Sequence, residues 1–199
     1  KDEYAIMKLV EDKFFIIMNS LQIYDNVYTS YGIYAETRKY AYSVGTFFDK
    51  DGKVLEESTR TPFDSYVPND VDCITEVVID HVGELEKSGE EKELRDSIAT
   101  ITSLVKKYIT KVFNFGALIV HQQMLEMENL DHIKEKQIYP TKQGLGDNKT
   151  VARTYINMIG ITNPISFGIK LVEANNNSYN LQNVGSYFRV INVIKQRFG

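Results

Sequence analysis

Apolar residues recur through the middle of the chain at alternating steps of four and three: Leu94, Ile98, Ile101, Val105, Tyr108, Val112, Phe115 and Ile119. That spacing is the seam of a long amphipathic helix lying along a partner helix. Ser88-Gly89-Glu90-Glu91 ahead of it has the form of a capping box. Glu90, Glu91 and Glu93 would suit the positive end of the helix dipole. A helix running from there to Asn129 would be on the order of 60 Å long. A globule of this size is roughly 33–43 Å across, so the pattern predicts a break, with Gly116 the natural place, or a projecting arm. The polarity fails after Ile119, where Gln122 and Glu126 take the next positions.

Other stretches follow the same logic. Ile6, Val10, Phe14, Ile17 and Leu21 predict a helix over residues 3–22. Tyr24, Tyr28, Tyr31 and Tyr34 continue at helical spacing, with Gly32 weakening the run. Such rings form a layer that either wraps its own core or meets a partner. Alternation at Tyr40, Tyr42, Val44, Thr46 and Phe48, followed by Asp49-Lys50-Asp51-Gly52, predicts a β-hairpin at about 39–61. Asp49, Asp51 and Gly52 also imitate a calcium loop, but its first and twelfth positions would be Phe47 and Ser58, which supply no carboxylate. After Pro62 and Pro68, Asn69 or Asp70 would cap a helix carrying Val71, Ile74, Val78, His81 and Leu85.

Residues 137–149, with Pro140, Gly144, Gly146 and Asp147, read as a linker. Beyond it, Asn148 would cap a helix through Val151, Tyr155, Met158 and Ile159, ended by Gly160. Asn163-Pro164 would start a second, from Ile165 to Ala174. Two short helices around Gly160-Ile161-Thr162 are what a helix-turn-helix needs. Asn175-Asn176-Asn177-Ser178 is a loop, and the β-branched content of 186–195 favours a strand. The expected architecture is mainly α with a β-hairpin (α+β). A helical bundle surrounds a long central helix over 1–136, and a small basic helical/β part follows at 150–199.

Charge alters this picture. Residues 1–129 carry 14 Lys+Arg against 23 Asp+Glu, net −9; residues 130–199 carry 9 against 4, net +5. The basic end could face a polyanion, or meet the acidic body of another copy head to tail, a contact that builds rings or filaments. No apolar run approaches the roughly 20 residues a bilayer span requires, and Lys1-Asp2-Glu3 does not open a secretion signal. Cys73, the single cysteine, fits a reducing compartment and reads as a small buried hydrophobe. The Ile-, Asn-, Lys- and Tyr-rich, Trp-free composition suggests an AT-rich genome.

Catalytic patterns are missing from the sequence. His81, His121 and His132 have no Ser or Cys at a known motif spacing, and Gly144-Leu145-Gly146 lacks the rest of a phosphate loop. Glu128 and His132, four apart, could reach one metal but have no third ligand in register. No enzyme, cofactor or metal is expected. The expected function is a structural or assembly protein contacting copies of itself or neighbouring subunits, such as a connector or ring subunit of a phage or viral particle. Tyr24, Tyr28, Tyr31, Tyr34, Arg189, Lys195 and Arg197 are its candidate interface. The alternative is a DNA-binding protein with a C-terminal helix-turn-helix or winged-helix part, using Lys149, Arg153, Lys170 and Arg189.

Overall fold

Thr29 opens the first long helix in the way its side chain dictates: its Oγ1 accepts the Gly32 amide at 3.0 Å. The computed structural model describes residues 7, 8, 10, 11, 20–58, 60–122, 139–142, 145, 151–174, 177–184 and 187–197. Most of the expected helix over 3–22 lies outside these residues; Met7, Lys8, Val10, Glu11 and Ser20 within it are helical. Helix α1, Ser30–Val44, is followed directly by strand β1, Gly45–Phe48, which pairs antiparallel with β2, Ser65–Pro68. The Asp49–Gly52 turn forms as the sequence requires. Asp49 Oδ1 accepts the amides of Asp51 and Lys53, and Gly52 takes φ +77°, a left-handed conformation that favours glycine. The expected hairpin at 39–61 is otherwise overturned: Tyr40, Tyr42 and Val44 lie in the helix, among the described residues only Val54 bridges back to Phe48, and the true partner strand is β2.

Next comes a β-α-β unit. β3, Glu76–Ile79, leads through a 3-10 turn at Val82–Glu84 to helix α2, Leu94–Leu104, and then to β4, Gly116–Ile119. β3 and β4 run parallel, with Val78 opposite Leu118, and α2 lies in the crossover that parallel pairing demands.

The expected helical bundle around a long central helix is therefore overturned. The three α-helices with described bounds, at 30–44, 94–104 and 181–184, are short, and among the described residues eight strands form four two-stranded sheets. The central stripe stops being one helix at Val105–Ile109, a π-helical turn in which the Thr110 amide reaches the Val105 carbonyl. Asn114 then takes φ +57°, a conformation Asn tolerates, and the chain re-emerges as β4. Helix α2 begins at Leu94, capped by Glu93 with Asp96 in a reciprocal box. Ser88 and Glu91 do bond to each other, but Glu91 has a wider task. Its carboxylate accepts Ser30 Oγ at 2.5 Å, the Ser88 amide at 2.8 Å and Ser97 Oγ at 3.1 Å, tying the starts of α1 and α2 together.

Where a helix was expected at 70–87, Asp70 closes a turn on the Asp72 amide and β3 follows. Cys73 is exposed rather than buried. In the C-terminal part β5, Asn157–Thr162, replaces the expected helix. The second expected helix, Ile165 to Ala174, is also overturned: Pro164–Phe167 form one 3-10 turn closed by Gly168 in the left-handed region, and Leu171–Ala174 are a strand. β6, Leu171–Ala174, pairs with β7, Asn177–Asn180, and helix α3, Leu181–Val184, precedes β8, Val190–Gln196. β8 fulfils the expected strand and pairs antiparallel with β5. A strand at 157–162 removes the helix-turn-helix. The linker at 137–149 lies mostly outside the described residues.

The core is a lattice of aromatic rings. Phe113 sits with ring centroids 5.4–6.4 Å from Tyr34, Phe47, Phe63, Tyr66 and Phe115. Ile98, Ile101 and Val105 of the stripe, with Ile109 beside it, close the core from the α2 side. The buried Arg38 guanidinium lies 4.7 Å from the Phe63 ring centre and donates to the Thr61 carbonyl. No described helix is long and apolar enough to cross a membrane.

Candidate interaction surface

Residues 151–155 join the C-terminal part to the body. Val151 belongs to the core cluster, and Tyr155 reaches between α2 and the segment after β4. Its hydroxyl lies 2.5 Å from His121 Nε2 and 3.3 Å from Thr102 Oγ1. Thr102 spends its proton on the Ile98 carbonyl at 2.7 Å. Donor counting therefore assigns one direction that uses every contact: His121 Nε2–H to Tyr155, Tyr155 to Thr102, Thr102 to Ile98. Burial holds the His121 ring below the usual histidine range and the Tyr155 phenol above the usual tyrosine range, so both sit neutral. The chain is a neutral tie between body and C-terminal part.

A second tie sits at the end of β8. The Lys195 ammonium donates to the carbonyls of Ala152 at 2.7 Å, Tyr155 at 2.6 Å and Arg153 at 3.3 Å, and Arg197 donates to the Arg153 carbonyl. Desolvation, and then the like charges of Arg197, Lys142 and Lys106, hold Lys195 below the usual lysine range. None of the ion pairs among the described residues involves Lys106, Lys142, Arg153, Lys195 or Arg197. The result is a cationic knot at one end of the ribbon. Lys195 reaches inward because β8 carries one extra residue: Met158 faces Lys195 while Ile159 faces Val193, leaving Ile194 as a bulge.

The face of this ribbon is the most telling surface of the molecule. Ile159 faces Val193 and Ile161 faces Ile191, and all four side chains are 63–68% exposed. The opposite face carries the buried Met158, Gly160 and Thr162, and Asn192 donates there to the Pro140 carbonyl. Two facing pairs of β-branched residues thus point into solvent at the centre of a basic region. Arg189 stands at the other end of β8, exposed, donating to the Phe188 carbonyl.

The body has a counterpart. On β3 and its approach, Ile74, Glu76, Val78 and Asp80 alternate outward with Ile79 turned in. Val78 (56% exposed) lies opposite Leu118 (54%), and Ile74 is 89% exposed. The Glu76 carboxylate lies over Gly116. This face is apolar between acids, as the ribbon is apolar between bases.

The structure divides the residues singled out from sequence. Lys195 and Arg197 meet on the backbone carbonyl of Arg153, whereas Lys170 lies by the β6–β7 hairpin and Lys149 lies outside the described residues. Tyr34 stacks into the core on Tyr108 and Phe113, while Tyr24, Tyr28 and Tyr31 stay about half exposed. Glu128 and His132 lie outside the described residues, and no group of three metal-ligating side chains forms among those described. The ribbon face escaped the sequence reading, although Ile159, Ile161, Ile191 and Val193 alternate with period two. No protein-family model, curated protein or solved structure matches the chain.

Proposed function

We propose that this chain is a non-enzymatic structural subunit that works by contact with copies of itself or with neighbouring subunits of a larger assembly. The observation that carries the reading is the outward face of the β5–β8 ribbon, Ile159, Ile161, Ile191 and Val193. A solvated sheet face ordinarily alternates to polar residues, and contiguous exposed apolar groups mark contact surfaces. The half-exposed Tyr24, Tyr28 and Tyr31 add a second surface of the type favoured at interfaces. The opposed charges of the two parts favour contacts that join copies end to end, and a ring or connector subunit of a phage or viral particle is the form of assembly this suits. Light scattering across a concentration series tests it: the mean mass rises in steps of the 22.9 kDa chain. A strict monomer at the highest concentration overturns the reading.

The cationic knot favours one further reading, contact with a polyanion. It would use Lys106, Lys142, Arg153 and Arg197 rather than a helix in a groove. Titration with duplex DNA at about 50 mM salt tests it, because phosphate contacts are strongest there. Lack of binding at that salt removes it.

A further inference from the structure

We infer that the partner of the ribbon face is the β3–β4 face of a second copy, so that the chain assembles head to tail. The inference rests on the assembly reading above and names its two surfaces. Along β8 the outward residues are Ile191 and Val193, with the exposed Arg189 just before the strand and the exposed Arg197 just after it; along β3 and its flanks they are Ile74, Glu76, Val78 and Asp80. One strand presents base–apolar–apolar–base, and the other presents apolar residues interleaved with acids. Each belongs to a two-stranded sheet whose outward face is uncovered, with a facing apolar pair at its centre: Ile161 and Ile191 on the ribbon, Val78 and Leu118 on the body.

Electrostatics chooses between the possible pairings. Ribbon against ribbon would bring the exposed Arg189 and Arg197 of two copies together, and body face against body face would stack Glu76 and Asp80 on their own copies. Like charges brought together across an interface oppose association, and only the mixed pairing sets acid against base. The mixed pairing uses two different patches. It is therefore heterologous, and repeats into a ring or a filament.

The test uses the full chain and two variants at exposed positions. Ile161→Asp places an acid on the ribbon, and Val78→Asp places an acid at the apolar centre of the body face, so the two altered faces also repel each other. Each alone raises the concentration needed for assembly about tenfold or more. Mixed in equal amounts, they form a complex of two chains that grows no further, because each retains one intact surface. Ile161→Ser and Val78→Ser, which remove apolar surface without adding charge, form the second pair if a charged variant fails to fold. Wild-type-like assembly of the Val78 variants, or a mixture that stays monomeric while the wild type assembles, overturns the head-to-tail contact and leaves the assembly reading standing. A monomeric wild type overturns the assembly reading itself.

Discussion

In β1–β2 the inward pair is Phe47 and Tyr66, sealed among Tyr42, Phe63, Phe113 and Phe115; in β5–β8 the corresponding apolar pairs face solvent. Both are two-stranded antiparallel pairs with alternating side chains. The difference lies in what covers them. β1 follows α1 without a loop, so the helix and the α2 stripe close over its apolar side, and Gly45 admits the Tyr66 ring where any Cβ would strike it at 2.3 Å. The ribbon instead spends its covered face on Met158, Gly160 and Thr162 and leaves its β-branched residues outside. Hydrophobic alternation thus reports a sheet face, but whether that face stabilises a monomer or an interface depends on what packs against it.

The largest effect that separates the two regions is Phe113→Ala, which opens a void in the ring lattice. It costs about 3–5 kcal/mol in chemical denaturation. Glu91→Ala comes next. The fully buried Ser30 and Ser97 hydroxyls lose their acceptor, at a cost of about 1–3 kcal/mol. The same group gives a pH signature. Desolvation raises the Glu91 carboxyl, but the hydrogen bonds from Ser30, Ser88, Thr100 and Ser97 outweigh it and leave it below its ordinary value of 4.5. A lowered carboxyl contributes stability that is complete above pH 4.5 and fades as pH falls through its folded value. Melting curves from pH 7 to pH 3 lose that component in the wild type and lack it in Glu91→Ala.

Tyr155→Phe breaks the tie between body and C-terminal part and costs about 1 kcal/mol. His121 carries the matching pH signature at a different place. Its folded value lies below 6.5, so the unfolded chain takes up a proton first and stability declines as pH drops below 6.5. His121→Gln flattens that decline. The smallest effect falls on the ribbon: Ile161→Ser shifts the stability of the isolated chain by no more than about 0.5 kcal/mol, because the side chain is already in water. A cost near that of Phe113→Ala would place the ribbon face inside the monomer core and erase the contrast.

Local chemistry was legible in the sequence where one side chain decides the backbone. Asp49 and Gly52 announced their turn, and the β-branched run at 186–195 its strand. The central stripe misled because a step of four is shared by helix and strand: Phe115 and Ile119 lie on one side of β4 as they would on a helix. The competing signal was alternation at Phe113, Phe115, Ala117 and Ile119, with Leu118 pointing out. Ile74 and Val78 misled in the same way, since their step of four marks the outward face of β3 rather than a buried helix face. Of the candidate site, the basic character of the C-terminal part was readable from composition. The meeting of Lys195 and Arg197 on the Arg153 carbonyl was not, because it depends on the turn at 151–155 and on a bulge in β8.

That bulge bears on the open edge of β8. A two-stranded ribbon has an open edge on each side, and an open, straight, apolar edge recruits further strands without limit. At Ile194 the regular succession of backbone groups along β8 is broken, and the strand twists before it ends in the Lys195 clamp. A straight incoming strand finds no continuous ladder there. The chain thereby exposes an apolar face while blunting the strand edge beside it.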